Sequence, residues 1–231
     1  MILPGLGAVM VSSKAPGFAP GVASAGTGGG ANVTASTCGV PSGTVAGDLL
    51  LMHGMIASGA GPVDIHVPAG WTPIFEANDN SSASRWFSSF FAYRIATGSE
   101  GATIPLSIDG GVQGEILACA LRVTGRNGNV FGANYSLIGG GATTFDPPPV
   151  TTAWLADDNS LFVVGVASTG NTMPNTPAGY GLMTTYTPHA FRGRVSMFAR
   201  NAPGGTEDPP ATAFNTGQTS ASVATFAVRG F

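Results

Sequence analysis

Charge is what this chain has least of. Lys and Arg number nine and Asp and Glu twelve in 231 residues, a charged fraction of 9% and a net charge of −3, where a quarter or so is usual. The nine cations are scattered along the chain. Binding nucleic acid takes several phosphate-neutralising side chains on one face, so no nucleic-acid partner is expected. Cysteine is scarce too: Cys38 and Cys119 cannot make a multiply bridged framework. Cys119 lies inside an apolar run and reads as a small buried hydrophobe; both are expected as free thiols. The longest apolar runs are strand length, which excludes a hydrophobic membrane span. The start, Met1-Ile2-Leu3-Pro4-Gly5-Leu6-Gly7, has no basic residue before its apolar stretch and is interrupted by Pro4 and two glycines, which argues against a secretory signal. Helical periodicity and helix caps are missing throughout.

What is present is 43% apolar residues with 35 glycines and 17 prolines. Such a chain can bury a good core, and its surface is solvated by hydroxyls, amides and backbone. That composition suits β-rich extracellular and virion proteins better than cytosolic enzymes.

The chain also repeats itself. Pro68-Ala69-Gly70-Trp71 returns as Pro177-Ala178-Gly179-Tyr180, with similar segments before and after each. Asp48–Ser58 corresponds to Asn159–Thr169, Phe90–Arg94 to Ser196–Arg200, and Ile116–Val123 to Val223–Arg229. Gly54 and Gly165 stand 111 residues apart, Gly70 and Gly179 109, Arg94 and Arg200 106. Conserved order with a drifting offset indicates an internal duplication with changed loops.

Strands are expected at Asp48–Ile56, Trp71–Glu76, Trp86–Ile95, Ala102–Ile108 and Glu115–Val123, punctuated by glycine-rich turns. Ile104, Leu106 and Ile108 share one face. The expected architecture is all-β: a jelly-roll-like β-sandwich of nine to eleven strands, built from two similar halves around one core. Residues 1–37 read as an extended N-terminal arm with a flexible Gly26–Gly30 tract. Residues 38–231 form the sandwich: repeat one 38–125, a connector 126–157 with a short strand near Val130–Leu137, and repeat two 158–231. Pro147-Pro148-Pro149 in the connector cannot occupy a central strand.

Candidate chemistry is thin. His53 lies in a core strand, with Val164 at the matching place in repeat two, and reads as a structural histidine. Asp64 and His66 share one face of an extended segment, but two ligands without a third do not make a zinc site. His189 sits in a loop with Arg192 and Arg194, a solvated tip. No Gly-x-Ser-x-Gly elbow occurs. Of the carboxylates Asp48, Asp64, Glu76, Asp79, Glu100, Asp109 and Glu115 most sit at expected turns; Glu115, at the start of a strand, is the one candidate, and a glycosidase needs a placed pair. The glycine runs lack the helix and Lys of a phosphate loop. Trp71 and Tyr180 read as core plugs before they read as a glycan-stacking platform. No catalytic residue, metal or cofactor is therefore expected.

Gly47-Asp48-Leu49-Leu50-Leu51, Pro68-Ala69-Gly70-Trp71-Thr72, Ala92-Tyr93-Arg94-Ile95-Ala96, Gly98-Ser99-Glu100-Gly101-Ala102 and Leu121-Arg122-Val123-Thr124-Gly125 together resemble small virion proteins of tailed bacteriophages and prophages. The resemblance covers about residues 46–125 and is weaker over 158–231, where Tyr180 replaces Trp71 and Ala199 replaces Tyr93. It implies a β-sandwich on a phage particle assembled in the bacterial cytoplasm, as a decoration, cement, spike or fibre subunit, and carries over no catalytic residue. The arm, through Ile2, Leu3, Leu6, Val9, Met10 and Phe18, is expected to dock on capsid or tail proteins. A homo-oligomer is expected, a trimer being one form that fits. The alternative is a carbohydrate-binding adhesin for host glycans, which requires exposed aromatics around Trp71 or Tyr180.

Overall fold

In the computed structural model the described residues are 21–82, 85–109, 111–154, 158–170, 173–186 and 193–230. Ile2, Leu3, Leu6, Val9, Met10 and Phe18 lie outside them, as does His189. Every regular element among the described residues is a strand. The first half contains β1 (Gly21–Val33), β2 (Ala35–Gly39), β3 (Leu49–Ser58), β4 (Asp64–Ile65), β5 (Thr72–Ser82), β6 (Arg85–Ile95), β7 (Thr103–Asp109) and β8 (Gly114–Thr124). The second contains β9 (Arg126–Phe145), β10 (Val150–Thr151), β11 (Asn159–Ser168), β12 (Gly181–Tyr186), β13 (Arg194–Pro203), β14 (Thr206–Glu207) and β15 (Thr212–Gly230). The all-β expectation holds, with more strands than the turn signals suggested.

The two halves pair in the same way. β1 joins β8, β2 joins β7 and β3 joins β6, all antiparallel; in turn β9 joins β15, β10 joins β14 and β11 joins β13. Each half thus builds a five-stranded sheet, β1-β8-β3-β6-β5 in one and β9-β15-β11-β13-β12 in the other, and a smaller outer ladder.

The large sheets pack face to face. Leu49, Leu51, Met55, Phe87, Phe91, Leu117, Cys119 and Leu121 from the first meet Leu161, Val163, Val195, Met197, Ala224, Phe226 and Val228 from the second in one core. Rings cross the gap, Phe91 to Phe226 at 6.0 Å and Tyr93 to Phe131 at 5.0 Å between centroids. The outer faces are covered as well. Leu50, Met52, Ile56, Phe90, Ile116 and Ala118 pack beneath Cys38, Ile65, Ile104 and Leu106 of β2, β4 and β7. Phe162, Val164, Val166, Phe198 and Val223 pack beneath Phe145, Val150, Trp154 and Phe214. A strand buried on both faces reads as a nearly continuous apolar run, and β3, buried from Leu49 to Ser58 without a break, is apolar except at His53 and Ser58. β7 covers with one face only, so it alternates, with Ile104 and Leu106 buried and their neighbours exposed.

Three sequence expectations are corrected. Residues 21–37 are not part of a free arm, since β1 is hydrogen-bonded along β8 and β2 along β7. The Gly26–Gly30 tract is strand, and its glycines answer a steric demand. A Cβ at Gly26 would collide with the Gly39 carbonyl and one at Gly28 with that of Thr37, because β2 folds back directly over β1. Nor is 126–157 a connector. β9 runs twenty residues as the edge of the second sheet, and Gly125 alone separates it from β8. Finally, the Gly54/Gly165 match is off by one. Gly54 faces the outer layer against Phe90, whereas Gly165 faces the inner core, where a Cβ would stand 2.7 Å from His53 Nδ1. Matching Asp48 to Asp158 puts Leu51 and Leu161 both inward and Met52 and Phe162 both outward. Val163, rather than Val164, then corresponds to His53.

If Gly26–Gly30 were a linker, added side chains would be silent. We expect Gly28→Val to cost ~2–3 kcal/mol or more by overpacking, while Gly21→Ala, with open space at its Cβ, stays within about 0.5 kcal/mol. Urea denaturation of the two variants measures this.

Candidate functional site

The repeated motif builds a knot in each half. In Pro68–Trp71 the Trp71 N–H donates to the Pro68 carbonyl at 3.1 Å, and Tyr180 N–H donates likewise to Pro177 at 3.0 Å. Gly70 and Gly179 take φ of +80° and +82°, the left-handed third position of a type II turn. That turn delivers the aromatic ring inward: Trp71 and Tyr180 are each 8% exposed. Both are core plugs, and neither offers a platform to a sugar.

Around Tyr180 the knot is closed. Its hydroxyl donates to Glu207 Oε1 at 2.8 Å, Arg200 donates to Glu207 Oε2, and the Arg200 guanidinium sits 5.2 Å from the Tyr180 ring centre. Burial first, and the hydrogen bond to Glu207 second, push the Tyr180 phenol well above its ordinary value. Trp71 has no hydroxyl, and the matching knot is looser: Arg94 Nη2 is 3.7 Å from Glu100 Oε1. A void of about 50 Å³ remains between Pro68–Trp71, Arg94, Glu100 and 103–105. Glu100 is held instead by the N–H groups of Thr97 and Gly98 and the Thr97 hydroxyl. Desolvation alone would raise its pKa; these donors outweigh it and hold the carboxyl below its ordinary value. The Arg–Glu partners could have been found in the sequence, because each half has a glutamate six or seven residues after the matched arginine.

A second tie also occurs twice. Arg122 Nε donates to Asp48 Oδ2 at 2.6 Å, and Arg229 Nε to Asp158 Oδ2 at 2.9 Å. Both join the loop before the central strand to the end of its neighbour. Arg126 donates to the Gly47 carbonyl at 2.7 Å, tying the start of β9 to the first half. The carboxylates flagged in the sequence are thus largely occupied with architecture. Asp64 accepts from the Ser88 hydroxyl at 3.1 Å, Glu76 from the Val67 N–H at 3.1 Å, and Asp109 lies 2.9 Å from His66 Nε2 in an exposed pair. Such an exposed pair contributes little to stability. Glu115 is 5% exposed at the start of β8. Among the described residues no group of three His, Cys, Asp or Glu is placed to hold a metal ion.

His53 is the most unusual side chain. It lies wholly buried between the sheets, its ring edge-on to Phe75 at 5.8 Å and Phe91 at 5.3 Å. Nε2 is 3.1 Å from Ser222 Oγ, while Nδ1 has no hydrogen-bond partner. A Ser–His pair has the atoms of a nucleophile and base, but both residues are 0% exposed and a substrate has no access. Ser222 carries no signal in the sequence, since its role depends on two sheets meeting. Burial in apolar surroundings pushes the His53 pKa down to about 3, so the ring is neutral in the folded state. Both cysteines are free and buried. Cys38 belongs to the outer layer and Cys119 to the core between the sheets, and burial pushes the Cys38 thiol up to about 12 and Cys119 higher still.

A further cleft of about 230 Å³ lies between loop 40–44 and loop 98–101, walled by small residues and backbone with Glu100 turned into its own loop. Among the described residues the exposed large apolar side chains are Val45 in the loop before β3, Tyr135 and Leu137 of β9, and Leu182 of β12. In the comparisons with known proteins, no family model, curated protein or solved structure matches this chain.

Two outcomes follow. Tyr180→Phe removes the hydroxyl donor to a buried carboxylate and is expected to cost ~1.5–3 kcal/mol in chemical denaturation. For His53, the folded pKa lies below the unfolded one, so its neutral burial stabilises fully above about pH 6.5 and that stability is lost as pH falls toward 3. Between pH 7 and 5 wild type should lose ~2 kcal/mol that His53→Gln does not lose, read from denaturation midpoints at the two pH values.

Proposed function

We propose that this chain is a non-enzymatic structural protein of a tailed-phage virion, displayed on capsid or tail as a decoration, cement, spike or fibre subunit. The observation that carries the reading is the pairing scheme. Joining first strand to last, second to second-last and third to third-last is what results when one long antiparallel hairpin is wound up, and we read it as jelly-roll-like. Viral capsid and lectin domains use this architecture, so the argument is partly one of fold analogy. We read the second half as a duplicate of the first, because strand order and both arginine ties recur. The virion reading also draws on the sequence resemblance over residues 46–125.

The chemistry of the described residues supports a structural role over an enzymatic one. Arginines and carboxylates are spent on tying loops, and the buried Ser–His pair is closed to substrate. The adhesin reading required exposed aromatics at Trp71 or Tyr180, and the burial of both counts against it. Residues 1–20 supply the anchor, since they are apolar and precede the first strand of the body.

Deletion of residues 1–20 should leave a soluble body with an unchanged far-ultraviolet spectrum that is missing from purified particles. Incorporation of the truncated protein at the wild-type level overturns the anchoring role.

A further inference from the structure

We infer that the free edge of β9 is a docking strand for a second copy of this chain, the two β9 strands pairing antiparallel about a twofold axis. The inference goes beyond the virion reading and does not depend on it.

The argument begins with an asymmetry between pseudo-equivalent edges. β1 and β9 occupy the same place in their sheets, each paired on one side. Taking Arg122 and Arg229 as matched, Tyr135 stands where β1 has Gly29. At Gly29 the site is filled from the other sheet, because a Cβ there would meet the Tyr186 ring at 2.9 Å. At Tyr135 the arrangement is reversed. Its ring stacks on Phe75 of β5 at 4.8 Å and 15°, yet it remains 47% exposed and Leu137 44%. Among the described residues, two large apolar side chains therefore overhang the rim of the sandwich without cover.

The backbone beside them is equally uncovered. β9 contacts β15 along one side, and its other side is a row of groups that another strand can pair with. The Tyr135 N–H is held by the neighbouring Asn134 Oδ1 at 2.9 Å, a local bond that a strand carbonyl can replace. Natural edges are guarded by Lys, Pro, inward charges or short length. From Asn127 to Phe145 there is no Lys, Arg, His, Asp, Glu or Pro, over a strand of twenty residues. The adjacent edge, β5, does carry such guards, Pro73 and an exposed Glu76.

Charge selects the occupant. About a twofold axis every residue near the axis meets its own image, so a charged edge repels itself and a neutral one does not. From Asn127 to Phe145 β9 carries no charged side chain, and this stretch is its own complement. Pairing there would cover Tyr135 and Leu137 of both copies and extend a five-stranded sheet to ten strands. A twofold contact closes on itself, giving a dimer.

The test is sedimentation of the purified full chain across a concentration series, with three variants. Wild type should sediment as a dimer. Leu137→Lys sets like charges facing across the axis and should weaken association on the order of 100-fold, giving a monomer with unchanged circular dichroism. Val45→Lys alters an apolar residue that is 55% exposed away from this edge and should stay dimeric, as should deletion of residues 1–20. A monomeric wild type, a dimer that survives Leu137→Lys, or a dimer lost with residues 1–20 overturns the proposal. Should Leu137→Lys fail to fold, concentration-dependent amide protection over 133–137 in wild type decides: protection that rises with concentration supports pairing, and its absence overturns it. None of these outcomes bears on particle incorporation, so the virion reading stands or falls separately.

Discussion

Everything in this fold follows from burying two large sheets on both of their faces. Each presents one face to the other and the opposite face to a thin ladder of its own half. The middle strands β3 and β11 accordingly carry no Asp, Glu, Lys or Arg. Side chains such as Phe87, Phe90 and Phe91 reach 0% exposure on neighbouring positions of one strand, each stabilising the fold by roughly 1.5–3 kcal/mol through burial. The low charge of the sequence is in part a result of this geometry, since the interior claims strand positions that in a two-layer sandwich would face water.

Much of this was legible beforehand. The strands at residues 49–58, 85–95 and 114–124 were visible as apolar runs, and the turn at Pro68–Trp71 was visible because Gly after Pro-Ala demands one turn type. What failed failed for physical reasons. β1 was hidden because its glycines, which exist to let β2 approach, have the composition of a linker. The Gly54/Gly165 match was wrong by one residue because similarity of apolar runs is nearly blind to register, whereas in a strand one residue exchanges the two faces. The ion pairs fix the register, and pairs are a property of space. His53 was readable as a structural histidine, but its position opposite Gly165 and beside Ser222 was not, since those contacts join residues more than a hundred positions apart.

The candidate sites divide in the same manner. Residues that could have been chemical are here mechanical. Tyr180, Arg200 and Glu207 would look like an acid–base constellation in a cleft; closed over a turn, they are a fastener. At the similar turn in the first half Trp71 offers no hydroxyl, and Arg94 and Glu100 stand 3.7 Å apart beside a small void.

The two buried thiols give the molecule a way to report on its own opening. One is sealed beneath the outer ladder and the other between the large sheets, and a thiol reacts only when it is exposed and ionised. Peeling away the β2-β7-β4 ladder would uncover Cys38 and leave Cys119 closed, whereas parting of the sheets would uncover Cys119. The order in which they become reactive is thus a record of which layer yields first, written in residues the fold already contains.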